Sequence, residues 1–439
     1  MNEHLTEAGL HQLIDERPVG GAQVLLLLVC FLLQTVDGFD VLAMAFAAPP
    51  LADDWALSPD RLGIVFSSGV LGMTLGAMFL SPLTDRLGRR VVIVWAVLIM
   101  GLAMLATAWS PSLWPMVALR LLTGLMIGAI MASLTALVSE FFPDRQRNMA
   151  VGILLAGYPL GATLGGFLAA ALIPDYGWQG VFVAGGILTL AMLPLILLFM
   201  PESLHFLLVR RPANALGRVN KVLARMQLAT VKELPDAGAE PEAASVSSLL
   251  SASRRKQTLQ LWSSFFLCFG TLYFLLSWIP KLLVDSGLPL AQAIYAGIAF
   301  NLGGAVGNIG MGWASTRFGL QKTILVFHFI AALGMILFAF LPLGLAALLL
   351  LTAVIGLFQQ GGFVGFYMTA ARLYPAEVRA TGVGWGIGLG RFGAVIAPYV
   401  AGLLIAAGWG IPILFTVFAL PLLAGGLITY SIRSKDLPR

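Results

Sequence analysis

The sequence predicts an all-α integral membrane protein: twelve transmembrane helices in two pseudo-symmetric halves of six. Three observations carry this. Of the 439 residues, 59% are hydrophobic and only 11% are charged, whereas a soluble domain carries about 25% charged residues. Apolar runs of bilayer-spanning length, about 20 residues each, recur along the whole chain. Two pairs of segments repeat at nearly one offset: FPDRQRNMAVG at 142–152 resembles YPAEVRATGVG at 374–384, and SPLTDRLGRR at 81–90 resembles GWASTRFGLQ at 312–321.

The spans read as 21–48, 60–80, 91–109, 113–137, 148–173, 178–200, 258–284, 290–313, 323–343, 346–371, 381–404 and 410–432. Proline and glycine inside them are tolerated, because neighbouring helices re-satisfy the freed backbone groups. The first half covers 21–200 and the second 258–432, with an N-tail at 1–20 and a C-tail at 433–439. Between the halves, residues 201–257 form the one long polar loop. Its 203–227 stretch predicts an amphipathic helix, and the part after Val231 reads as linker. Parallel halves with a site between them at mid-membrane suit alternating access.

The pI near 9.4 raises nucleic acid as a partner. The placement of the charges rejects it. With the N-terminus inside, 22 of the 26 Lys and Arg fall in the tails, the central loop and the inner connections. Only Arg61 and Lys281 fall outside. The positive-inside rule then puts both termini in the cytoplasm, with the chain in the inner membrane. Cys30 and Cys268 lie in the first and seventh spans and read as inert core thiols. No cluster asks for a metal or another cofactor. Residues 1–20 are polar and the first apolar run is too long for a cleavable signal peptide.

Four ions remain inside the spans. Asp37 and Asp40 lie in CFLLQTVDGFDVLAMAF, three residues apart and so on one helix side. Each costs roughly 2.5–3.5 kcal/mol at mid-bilayer, so packing alone does not ask for them. They are candidate proton-coupling groups; the structural alternative is an ion pair with Arg120. Arg120 lies about two turns inside the fourth span, and Arg391 lies near the middle of the eleventh. Arg391 has no opposite charge in its own span, and a guanidinium clasps a carboxylate through two parallel hydrogen bonds. A substrate carboxylate is its natural counter-ion. Further candidates for the cavity are Tyr158, Tyr273, Trp278, Asn301, Phe358, Gln359, Gln360 and Trp385, each with ordinary helix packing as the alternative. The two adjacent amides stand out, because polar groups in an apolar span need partners.

Two motifs read as structural. GLGRFG at 388–393 fits a dinucleotide fingerprint but lies inside a span, where its glycines serve helix contact. His328 has no second His or Cys beside it for a metal site and reads as a satisfied or lipid-adjacent histidine, with a proton relay as the alternative. At the inner ends, Asp85, Arg86, Gly88, Arg89 and Arg90 are candidate gating residues between the second and eleventh spans. Glu140, Arg147 and Arg379 sit at matching inner ends and join that set.

LTDRLGRR after the second span resembles the signature loop of the major facilitator superfamily. DGFD in the first span, SEFFP after the fourth and GIGLGRFGAVIAP in the eleventh together resemble its aromatic acid:proton symporter family. The resemblance implies a transporter rather than an enzyme. It would import a small aromatic carboxylate, such as benzoate or a hydroxybenzoate, with protons. The residues by themselves say only that an anion fits. A non-aromatic acid such as muconate, proton-driven efflux and a non-transporting receptor stay open as alternatives. The expected partners are the organic anion, the proton and the lipid bilayer, and the chain is taken as a monomer. Three positions depart from the pattern. Ser81 replaces the usual glycine, Thr316 stands where a second-half acid would, and Leu320 and Gln321 replace a basic pair. The second-half gate is therefore expected to lack a charged latch.

Overall fold

The computed structural model describes residues 14–15, 17–234, 249–251, 254–374 and 376–432, without the side chains of Asn148, Ala376, Glu377, Arg379 and Ala380. The 433–439 tail, the 235–248 part of the linker and the Arg379 side chain thus lie outside the described residues. The helices are α1 Gly21–Asp54, α2 Pro59–Leu87, α3 Arg89–Ala108, α4 Leu113–Phe141, α5 Asp144–Phe199, α6 Leu204–Arg210 and α7 Ala215–Arg225. The second half follows with α8 Arg255–Asp285, α9 Leu290–Phe318, α10 Leu320–Phe340, α11 Leu345–Leu373, α12 Ala376–Ala406 and α13 Ile411–Tyr430.

Among the described residues, 11 helices are long and apolar enough to cross a membrane. One of them, α5, has 56 residues. At 1.5 Å per residue that is about 84 Å, well over twice the hydrocarbon core. It breaks at Gly177, whose φ of 63° and ψ of −173° belong to a region open essentially to glycine alone. The runs 148–173 and 178–200 are its two arms. The stretch 203–227, expected as one amphipathic helix, forms two. Pro212 cannot continue α6, and Arg211 and Asn214 take φ of 46° and 59° between α6 and α7.

Close backbone approach sets the first half. A Cβ on Gly38 of α1 would stand 2.1 Å from the Tyr158 carbonyl oxygen of α5, and one on Gly161 would stand 1.7 Å from that of Thr35. Only glycine permits this crossing. It lays the α1 acids directly along α5.

The two halves meet at the end remote from the central loop. There Ser67 Oγ of α2 donates to the Val395 carbonyl of α12 at 2.6 Å. Trp278 Nε1 of α8 donates to the Pro398 carbonyl at 3.0 Å, and its ring meets Phe66 edge-on at 5.2 Å. Toward the loop-bearing end, Phe79 and Leu83 of α2 and Trp385 of α12 are exposed. The Ser67–Val395 and Phe66–Trp278 contacts join the halves at the end remote from the central loop.

Candidate functional site

The α1 acids have separate fates. Asp37, Asp40 and Arg120 are 0%, 3% and 4% exposed. Arg120 Nη1 donates to Asp40 Oδ1 at 3.1 Å. Its Nη2 donates to Thr107 Oγ1 at 3.3 Å and Thr123 Oγ1 at 3.2 Å. The guanidinium also lies 5.0 Å from the Phe182 ring centre, within cation–π range. Asp40 is therefore half of a buried ion pair, in which Arg120 Nε is left without a partner among the described residues. Asp37 is different. Both its carboxylate oxygens are buried without a partner among the described residues. One turn earlier, both polar atoms of the Gln34 amide are equally unpartnered. Buried polar groups left unpaired are rare and call for an explanation.

Arg391 is half-buried on α12 and makes no ion pair among the described residues. Its Nη2 reaches across the halves to Met131 Sδ of α4 at 4.0 Å, a weak contact. Three tyrosines stand within its electrostatic reach: Tyr158 of α5, Tyr273 of α8 and Tyr367 of α11. Tyr158 lies within the electrostatic reach of both Tyr273 and Asp37. Phe269 and Phe363 continue the aromatic wall, with ring centres 4.5 Å apart and Phe363 5.6 Å from Tyr367. An acid of one half and a guanidinium of the other, neither in an ion pair among the described residues, thus lie in the electrostatic surroundings of the same tyrosine, Tyr158.

A profile described as the Major Facilitator Superfamily matches residues 30–355 and 299–439. The chain belongs to the major facilitator superfamily. It is 38% identical to the gallate transporter of Pseudomonas putida, across 94% of this chain and 92% of that one. It is 37% identical to the 4-hydroxybenzoate transporter PcaK of Pseudomonas aeruginosa, across 97% and 95%. Among solved structures, it superposes on a D-xylose-proton symporter with a TM-score of 0.74, 16% identity and coverage of 94% and 98%. At that identity the likeness concerns the fold.

The other expected site residues of this superfamily member are spread more widely. Trp278 belongs to the seam described above. Asn301 donates to the Gly297 carbonyl of its own helix at 2.9 Å. Phe358 turns to Phe327 of α10, with ring centres 5.0 Å apart. Gln360 spans to the Phe300 carbonyl of α9 at 3.4 Å. Gln359 is fully buried with both amide atoms unpartnered among the described residues. Trp385 stacks on Trp262 at 6.2 Å toward the loop-bearing end. His328 sets Nδ1 2.8 Å from the Ile324 carbonyl and stacks on Phe366, while its Nε2 is unpartnered.

The charged set at the loop face is knit together within the first half. Gly88, at φ 99°, turns the chain from α2 into α3. Arg89 pairs with Glu140 and, at 3.2 Å, with Asp85. Glu140 also accepts from Ser203 Oγ at 2.8 Å, which ties in the N-terminus of α6. The Arg90 amide donates to Glu202 Oε1 at 3.0 Å. Arg86 is exposed, and Arg147 pairs with Asp144 of its own helix at 2.5 Å. The weights differ. Arg89 and Glu140 side chains are both 12% exposed, whereas that of Asp85 is 54% exposed. An exposed i,i+4 pair contributes about 0.3–0.5 kcal/mol, so Glu140 is the stronger partner. In the second half, Thr316 donates to the Trp313 carbonyl of its own helix at 2.7 Å and makes no other hydrogen bond among the described residues.

Sequence reasoning missed Tyr367, Thr107, Thr123, Ser203 and Glu202. Tyr367 had a signal, because it lies seven residues after Gln360 and so on the same helix face. The threonines and the loop residues had none, since only packing brings them to Arg120 and Glu140.

Proposed function

We propose that the protein carries a small aromatic carboxylate across the bacterial inner membrane together with protons, by alternating access. The observation that carries this reading is Arg391 without an acid partner among the described residues, with Tyr158, Tyr273 and Tyr367 within its electrostatic reach. The names of the aromatic acid relatives support the same substrate class. The substrate carboxylate docks on the Arg391 fork through charge-assisted bonds. The aromatic wall takes the ring by offset or edge-on contact. Tyrosine hydroxyls meet any ring hydroxyl.

Asp37 is the proton carrier in this reading. It can gain and lose a proton without breaking an ion pair, whereas Asp40 cannot. The Asp40–Arg120 pair instead holds α1 to α4. The chain crosses the bilayer twelve times with both termini in the cytoplasm. The basic loop face is then cytoplasmic, and the seal around Ser67, Trp278 and Pro398 closes the outside. Loading Arg391 and Asp37 removes two unpaired charges from the interface between the halves. That differential effect on the two states drives the exchange. The Arg89–Glu140–Ser203 set anchors the cytoplasmic turn while the halves rock.

Uptake of labelled 4-hydroxybenzoate, gallate and benzoate into proteoliposomes tests this. Accumulation is expected only with an inward proton gradient. Equal uptake with and without the gradient removes coupling, and no uptake of any of the three removes the substrate class.

A further inference from the structure

We propose a binding site for the headgroup of an anionic phospholipid at the loop face, between α3, the end of α5 and α7. A cavity of about 550 Å³ opens there. Four cations line it, Arg90, Arg218, Lys221 and Arg225, against the one acid Glu202. Spacing explains the cluster. Positions 218, 221 and 225 share one exposed face of α7, while Val219, Val222 and Leu223 are buried on the adjoining face, with Val222 at the border lining the same cavity. Arg218, Lys221 and Arg225 make no ion pair among the described residues. Glu202 already accepts from two backbone amides, those of Arg90 and Ser203. Arg90 is anchored through Nη2 to the Leu197 carbonyl, and its Nε is buried without a partner among the described residues. The site therefore holds an excess of positive charge with no internal answer.

The remaining wall identifies the source of the anion. Val91, Trp95 and Leu197 line the same cavity and are exposed on transmembrane helices. Trp95 lies six residues into α3, about 9 Å from its charged start. That is the depth at which tryptophan marks the boundary between headgroups and acyl chains. A phosphate above an apolar, bilayer-facing wall is the chemistry of a phospholipid, and basic pockets at this depth take anionic headgroups. A soluble phosphate would leave the apolar wall unused. Bound there, the lipid would bridge α7 of the central loop to the first half.

Native mass spectrometry of the full-length protein in mild detergent, titrated with phosphatidylglycerol or phosphatidylcholine, tests the site. Phosphatidylglycerol should bind and phosphatidylcholine should not compete. The exposed triple variant Arg218→Gln, Lys221→Gln, Arg225→Gln should weaken that binding on the order of 100-fold. A control with the same loss of charge, Arg254→Gln, Arg255→Gln, Lys256→Gln, should leave it unchanged. Equal weakening in both variants, or none in the first, overturns the site. Displacement of the lipid by excess inorganic phosphate makes it a free-anion site and overturns the lipid assignment. Should the triple variant elute as aggregate, Arg218→Gln alone carries the test, with weakening of about fivefold expected and unchanged binding overturning the site.

Discussion

Asp37→Asn and Asp40→Asn are nearly isosteric changes three residues apart, yet the structure assigns them opposite consequences. Asp37 has no hydrogen-bond partner to lose among the described residues, and the nearly isosteric amide strands no opposite charge, so stability should change little. Asp40 faces Arg120 at 3.1 Å, with both side chains under 5% exposed. Removing one partner of a buried pair strands the other charge, at about 3–5 kcal/mol. An asparagine oxygen still accepts one bond from Nη1, so the cost belongs at the lower end of that range. The double variant Asp40→Asn, Arg120→Gln should recover most of the loss, because no charge is then stranded. Two assays separate the roles: thermal unfolding followed by size-exclusion chromatography, and uptake split into substrate exchange and gradient-driven accumulation. Asp37→Asn should keep its unfolding midpoint and its exchange but lose accumulation. Asp40→Asn should unfold earlier. If Asp37→Asn accumulates substrate at the wild-type rate, the coupling role is wrong. If Asp40→Asn keeps the wild-type midpoint, or the double variant is worse than either single one, the pair is not the structural element described.

Three further predictions follow from named contacts. Arg391→Lys keeps the charge but loses the bidentate fork, so equilibrium binding of the transported acid should weaken by about 1.5–3 kcal/mol, or roughly 10- to 150-fold; unchanged affinity in a binding titration would remove this residue from the site. Gly38→Ala puts a methyl 2.1 Å from the Tyr158 carbonyl, which should force α1 from α5 and lower stability by about 1–3 kcal/mol, read as a lower unfolding midpoint against Gly152→Ala, where the space is open. Glu140→Gln should loosen α6 and shift the unfolding midpoint clearly more than Asp85→Asn, whose exposed pair contributes under about 1 kcal/mol; the reverse order would mean that Asp85 holds this turn.

Several features were legible in the chain because they depend on composition and period. Bilayer-length apolar runs, basic connections and the repeated segments led to the membrane fold that the superfamily match shows. The cost of charge in lipid singled out Asp37, Asp40, Arg120 and Arg391. Spacing put the two acids on one helix side but could not say which of them meets Arg120. That pairing depends on how far α4 slides along α1. The glycine contacts that fix such registers become visible only when two helices touch. The same holds for Trp278, an aromatic candidate in sequence whose ring in the fold meets Phe66 of the other half. Tyr367 reached Arg391, and Ser203 reached Glu140, because the tertiary structure folds distant stretches against one another. Sequence alone determined the solvent, the helices and the ions that need a reason. The tertiary structure decided which ions answer each other and which were left open, because a buried charge is defined by its neighbours and these come from other helices.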